Sequence, residues 1–132
     1  MAVPRSVLTH QALRLDAIMT VNSDIEFLKK RLEEALCHYS MESYKKLCGL
    51  RDEQIIETYQ PIPSLEEQQY QIELELLDEY KDSGRSVLQI GIYISSPETV
   101  LGSTLFVYSD GTVKQEGKIY RFIGGVATQL RK

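Results

Sequence analysis

Two prolines, Pro61 and Pro63, separate a stretch whose apolar residues recur every three or four positions from one in which they alternate. A period near 3.6 puts apolar side chains on one stripe of a helix, and a period of two puts them on one face of a strand. A chain that makes this change once, at Pro61 to Leu65, is expected to be an α+β domain with its helices first. Its 132 residues suit one domain with one continuous core. The division predicted is a helical half over about 1–60 and a β-meander over about 68–123.

In the first half, Leu8, Leu15, Ile18 and Met19 share one face over residues 6–20, with Ser6 available as a cap after Pro4. Ser23 and Glu26 then form a capping-box pair ahead of Ile25, Leu28, Leu32, Ala35, Leu36 and Tyr39, predicting a helix from about Asp24 to Tyr39. Its other face carries Glu26, Lys29, Lys30, Glu33 and Glu34, a solvated surface of mixed sign. Ser40 can cap a short helical piece through Cys48, which a left-handed Gly49 would end. A short helix from about Glu53 to Tyr59, capped by Asp52, would bury Ile55, Ile56 and Tyr59 before the prolines stop it.

In the second half, Tyr70, Ile72, Leu74 and Leu76 alternate with Gln71, Glu73 and Glu75. Leu65, Gln69, Ile72, Leu76 and Tyr80 would also fit a helix over 66–80, but strict alternation outweighs weak intrinsic propensity, so this is the first strand. The second runs through Leu88, Ile90, Ile92 and Ile94, and Asp82, Ser83 and Gly84 turn the chain between the two. A third strand is expected at about Ser103 to Tyr108 and a fourth at about Thr112 to Gln115. Asp110-Gly111 between them suits a type I′ hairpin, which needs positive φ at both central residues. Ile119 to Ile123 can extend the fourth strand past a bulge at Gly117, and Gly124-Gly125 loosens the chain before its polar end. The fold class predicted is three N-terminal helices packed on one face of a four-stranded antiparallel β-meander.

Composition narrows the function classes. Apolar residues make up 42% and charged residues 26%, too apolar for a disordered chain. A formal charge of −4 lacks the positive field that phosphate binding needs, so nucleic acid is not the expected partner. No apolar run reaches the roughly 20 residues that span a bilayer; the richest, Val87 to Ile94, carries Gln89. Arg5, His10 and Arg14 faintly suggest a transit peptide, but Pro4 and the lack of an apolar block argue for a folded N-terminus. Cys37 and Cys48 are too few for a disulfide framework and are expected to pack as small apolar groups, in keeping with a reducing, cytoplasmic setting.

No residue pattern carries catalysis, a metal or a cofactor. His10 and His38 lack ligand spacing, and the adjacent Cys37 and His38 diverge by about 100° on a helix, which predicts a core cysteine beside a surface histidine. The acidic run Glu66, Glu67, Glu73, Glu75, Asp78, Glu79 and Asp82 lacks the glycine-centred alternation of a calcium loop, and Gly124-Gly125 is not followed by the Lys-Ser/Thr of a phosphate loop. Lys29-Lys30-Arg31 and Lys45-Lys46 lie among carboxylates and apolar residues and read as helix surface.

One surface does suggest a role. If the helices cover Ile72, Leu74, Ile90 and Ile92, then Glu73, Glu75, Gln89 and Tyr93 lie on the opposite face, where Phe106 and Tyr108 can join them with Thr104. An acidic face bearing aromatics suits a basic or mixed protein surface. The expectation is a non-enzymatic protein-binding module, for instance an immunity- or antidote-type inhibitor. Two alternatives stand beside it. One is a small-molecule-binding or enzymatic domain whose apolar pocket between helices and curved sheet gathers His38, Tyr39, Tyr59 and Asp78. The other is an architectural subunit that oligomerises through its sheet.

Overall fold

A computed structural model describes residues 10–59, 69–97 and 99–130, with side chains in the first helix described from Ile25 onward. Its order is α1 (His10–Ser40), α2 (Tyr44–Leu47), a 3₁₀ turn (Cys48–Arg51), then β1 (Ile55–Tyr59), β2 (Tyr70–Asp82), β3 (Arg85–Ser95), β4 (Val100–Tyr108), β5 (Val113–Gln115), β6 (Tyr120–Ile123) and β7 (Val126–Gln129). The strands form one seven-stranded sheet in the order β1-β2-β3-β4-β6-β7, with β5 also on β4. Every pairing is antiparallel.

This corrects the arrangement of three helices on a four-stranded meander. The two helices expected over 6–20 and 24–39 are one helix where described, because no Gly or Pro lies between Met19 and Asp24 to break the ladder. The capping-box pair Ser23 and Glu26 therefore sits inside α1, and the Pro4–Ser6 start lies outside the described residues, as do Pro61, Pro63 and Leu65. After α1 the short helix is a single turn capped by Ser43, whose hydroxyl accepts from the Lys46 amide at 3.1 Å, and not by Ser40. Gly49 lies within the 3₁₀ turn and is not left-handed.

The segment expected as a helix from Glu53 to Tyr59 contributes strand β1 instead. Ile55, Ile56, Thr58 and Tyr59 are β-branched or aromatic, and five residues make less than two helical turns while they fill a free sheet edge. Pairing Ile55 with Leu74 and Tyr59 with Tyr70 turns Ile55, Glu57 and Tyr59 toward α1 and leaves Ile56 exposed on the other face.

The remaining added strands come from the C-terminal segment. The fourth strand is two short ones: β5 pairs Leu105 with Gln115, and β6 pairs Gly102 with Tyr120, so the break around Gly117 lies along β4. Gly124 and Gly125, at φ 56° and 83°, do not loosen the chain; they form a two-residue turn with Ile123 opposite Val126 and start β7. Ser83 and Gly84, at φ 52° and 81°, make the same kind of turn between β2 and β3. At Asp110-Gly111 only the glycine has positive φ. The Gly111 amide donates to the Tyr108 carbonyl at 2.9 Å and the Tyr108 amide to the Thr112 carbonyl at 2.8 Å. That is a three-residue loop with a glycine bulge in place of the expected type I′ turn.

The core lies between α1 and one sheet face. Leu28, Leu32, Ala35, Leu36 and Tyr39 from the helix meet Ile72, Leu74, Leu88, Ile90, Ile92, Ile94, Leu101, Leu105 and Val107 from the strands. Cys48 packs at its border, whereas Cys37 is exposed, against the expectation of a buried thiol. No described helix is long and apolar enough to cross a membrane.

The two turns at one end of the sheet are tied by charge. Asp110 accepts from the Thr112 amide at 2.9 Å and from Arg85 at 3.0 Å, and Arg85 lies 4.2 Å from the centre of the Tyr108 ring. The Thr112 hydrogen bonds first, then Arg85, hold the Asp110 carboxyl down at about 2, against an ordinary value of 3.8. A carboxylate lowered on folding favours the native state above its unfolded pKa, and that contribution disappears as the pH falls through the folded value. Asp110→Asn is therefore expected to flatten the fall in thermal midpoint between about pH 4 and about pH 2. An acid limb identical to that of the unaltered protein would show that this carboxylate does not carry it.

Candidate functional site

The sheet face away from α1 can be read row by row from the strand register. Across the first row Gln71, Ser95, Val100 and Phe122 are neighbours, and across the second Glu73, Tyr93, Gly102 and Tyr120. The next rows are Glu75, Gly91 and Thr104; Asp78, Gln89, Phe106 and Lys114; and Tyr80, Val87 and Tyr108. Glu73, Glu75, Gln89, Tyr93, Phe106 and Tyr108 thus all fall on one face. Between Leu76 and Asp78 the register of β2 shifts by a bulge, which puts Asp78 and Tyr80 on this face as well.

The six residues are not equivalent. Tyr93 lies over two glycines. A Cβ on Gly102 would come within 2.6 Å of Tyr93 Cδ1 and 3.0 Å of Phe122 Cε2, and one on Gly91 within 2.7 Å of the Tyr93 hydroxyl oxygen. The ring meets Phe122 edge-on, centroids 5.9 Å apart. Burial first, and then the nearby Glu75 carboxylate, push the Tyr93 hydroxyl pKa up. Glu73, Tyr93, Ser95, Val100 and Phe122 enclose a depression of about 380 Å³. At the other end Tyr108 is only 5% exposed and already carries Arg85 and Lys114 over its ring, so it is not open to a partner. Sequence reasoning missed Phe122 and the glycine floor. Alternation of Tyr120 and Phe122 past Gly117, and lone glycines inside two strands, were the available signals.

The carboxylates of the acidic run separate. Glu73, Glu75 and Asp78 stay on this face; Glu79 is paired with Arg51, and Glu66 and Glu67 lie outside the described residues. Among the described residues no three His, Cys, Asp or Glu side chains gather as metal ligands would.

A second depression, of about 280 Å³, lies where α1 meets the edge strand β1. Arg31, Glu34, Ala35 and His38 recur at helical spacing along its helix wall, and Tyr39, Glu57, Tyr59 and Ile72 complete it. The Tyr39 hydroxyl donates to Glu57 Oε1 at 2.9 Å. Arg31 Nε donates to the Tyr70 hydroxyl at 2.9 Å and Nη1 to Glu34 at 2.8 Å. Tyr59 stacks on Tyr70 with centroids 5.2 Å apart, and Arg31 Cζ is 5.7 Å from the Tyr59 centroid. Of the four groups expected to converge on a pocket, His38, Tyr39 and Tyr59 are here; Asp78 is on the opposite sheet face. The space between helix and sheet is filled by side chains such as Leu28, Leu32, Ile90 and Ile92, each fully buried, so this depression is a polar cleft at the border and not an apolar interior pocket.

Comparison of the chain with protein-family models, with curated proteins and with solved structures returns no match.

Proposed function

We propose that this chain is a small acidic module that binds another protein through the uncovered face of its sheet, acting without catalysis, as an immunity- or antidote-type inhibitor does. The observation that supports this reading is the Tyr93–Phe122 pair. It is set on Gly91 and Gly102, with Glu73 and Glu75 at its flank. Aromatic anchors beside a depression supply apolar contact area at low entropic cost, and flanking carboxylates select a basic partner and speed its approach. The other face is covered by α1, and on this one Val87 and Tyr108 at the turn end are already buried, so the reading concerns the end that carries Glu73, Tyr93 and Phe122.

The test is a pull-down from the source cell's lysate with the unaltered protein, Glu73→Lys/Glu75→Lys and Phe122→Ala as baits. The expected result is a partner retained at low salt and released at high salt by the unaltered protein only. A partner retained equally by all three baits, or by none, sinks this reading.

A further inference from the structure

We propose that the cleft between α1 and β1 is a binding site for a small organic cation carrying a primary ammonium or guanidinium group, with Glu57 as its counter-ion. Glu57 stands on the helix-facing side of β1. It occupies the middle of the three helix-facing positions of β1, between Ile55 and Tyr59, opposite the buried Ile72. An apolar side chain there would close the edge of the core, yet the chain places a half-buried carboxylate.

Its one described hydrogen bond is from the Tyr39 hydroxyl, and a carboxylate accepts at more positions than that one. Arg31, the cation in this cleft, is committed elsewhere, to Glu34 and the Tyr70 hydroxyl. Among the described residues the ion pairs involve Arg31, Lys46, Arg51 and Arg85, and none includes Glu57. Among the described side chains that line it, the cleft holds the carboxylates of Glu34 and Glu57, the Arg31 guanidinium and the His38 imidazole. Burial and then Glu57 raise the pKa of Tyr39 and of Tyr59.

The remaining surfaces suit the same ligand. The cleft wall already holds one cation against aromatic rings, Arg31 Cζ lying 5.7 Å from the centroid of Tyr59 and 5.9 Å from that of Tyr70. Ala35 and Ile72 give a small apolar floor for a short alkyl body. A volume of about 280 Å³ falls just below the range usual for drug-sized ligands and is ample for a short aliphatic amine. This site is independent of the sheet face proposed for protein binding, because β1 and α1 meet it from the other side of the sheet.

The test is an NMR titration of the full chain with butylamine, agmatine and guanidinium chloride, with butanol and acetate as uncharged and anionic controls. Saturable shifts at Tyr39, Glu57 and Tyr59 with the cations alone are expected. Affinity should fall about tenfold or more in Glu57→Gln, which keeps the acceptor for Tyr39 and removes the charge, and stay unchanged in Glu116→Gln, an exposed carboxylate just after β5. Shifts that do not saturate in the unaltered protein overturn the proposal without any variant having to fold. Equal binding of butanol, undiminished binding in Glu57→Gln, or an equal loss in Glu116→Gln also overturns it.

Discussion

Leu32→Ala is expected to lower the unfolding free energy by about 3 to 5 kcal/mol, toward the upper end for leucine truncations in cores. Leu32 is fully buried at the centre of the stripe formed by Leu28, Ala35, Leu36 and Tyr39, facing the sheet. Two terms add. The removed methyl and methylene groups lose their transfer free energy, and the vacated volume stays open because β3 and β4 are held on both sides by neighbouring strands and cannot close over it. Glu33→Ala, one position along on the exposed face of the helix, is expected to change stability by less than about 0.5 kcal/mol. Urea denaturation followed by circular dichroism measures both. A loss under about 1 kcal/mol for Leu32→Ala would mean that α1 is not seated on the sheet as described.

The second large effect is expected at Gly102, where alanine should cost about 1 to 3 kcal/mol through overpacking. The added carbon would meet Tyr93 near the root of its ring, and Phe122 stands close by, so the ring cannot swing aside without a change of rotamer. At Gly91 the obstructing atoms are the hydroxyl end of the same ring, and the smaller adjustment predicts a smaller loss. A double-mutant cycle separates the close contact from the glycine's own backbone preference. In a Tyr93→Ala background the cost of Gly102→Ala should vanish or change sign, since alanine is otherwise the less flexible strand residue. An unchanged cost in that background would assign the effect to the backbone and remove the glycine floor from the account of the binding face.

The positions that were legible in the sequence are those where one physical signal acts alone. The alternation from Tyr70 to Leu76 and from Leu88 to Ile94 fixed which side chains share a face, and the stripe from Leu28 to Tyr39 fixed the buried side of α1. The register then brings Glu73, Glu75, Gln89, Tyr93, Phe106 and Tyr108 to one face, because a period of two leaves only two choices. Elsewhere two signals competed. At Ile55 to Tyr59 the apolar spacing fitted a helix, and only the vacant edge of β2, a tertiary fact, makes it a strand. At Ser23 and Glu26 a capping pattern is present in a segment with no reason to stop. The cleft at α1 and β1 was not legible for the same reason: it depends on Glu57 facing inward, which requires β1 to be a strand.

The order of strands in the sheet bears on how the chain reaches it. From β1 to β4 each strand pairs with the next in sequence, and β6 pairs with β7 across a two-glycine turn. Most pairings therefore close short loops, whose entropic cost is small, and isolated hairpins of this kind form within about 1 to 10 μs. The long-range step is the seating of α1 on β3 and β4, which lie well beyond it in the chain. Loop-closure entropy alone favours forming the sheet before docking the helix, so Leu32→Ala is expected to speed unfolding more than it slows folding, which the two limbs of a urea chevron measure.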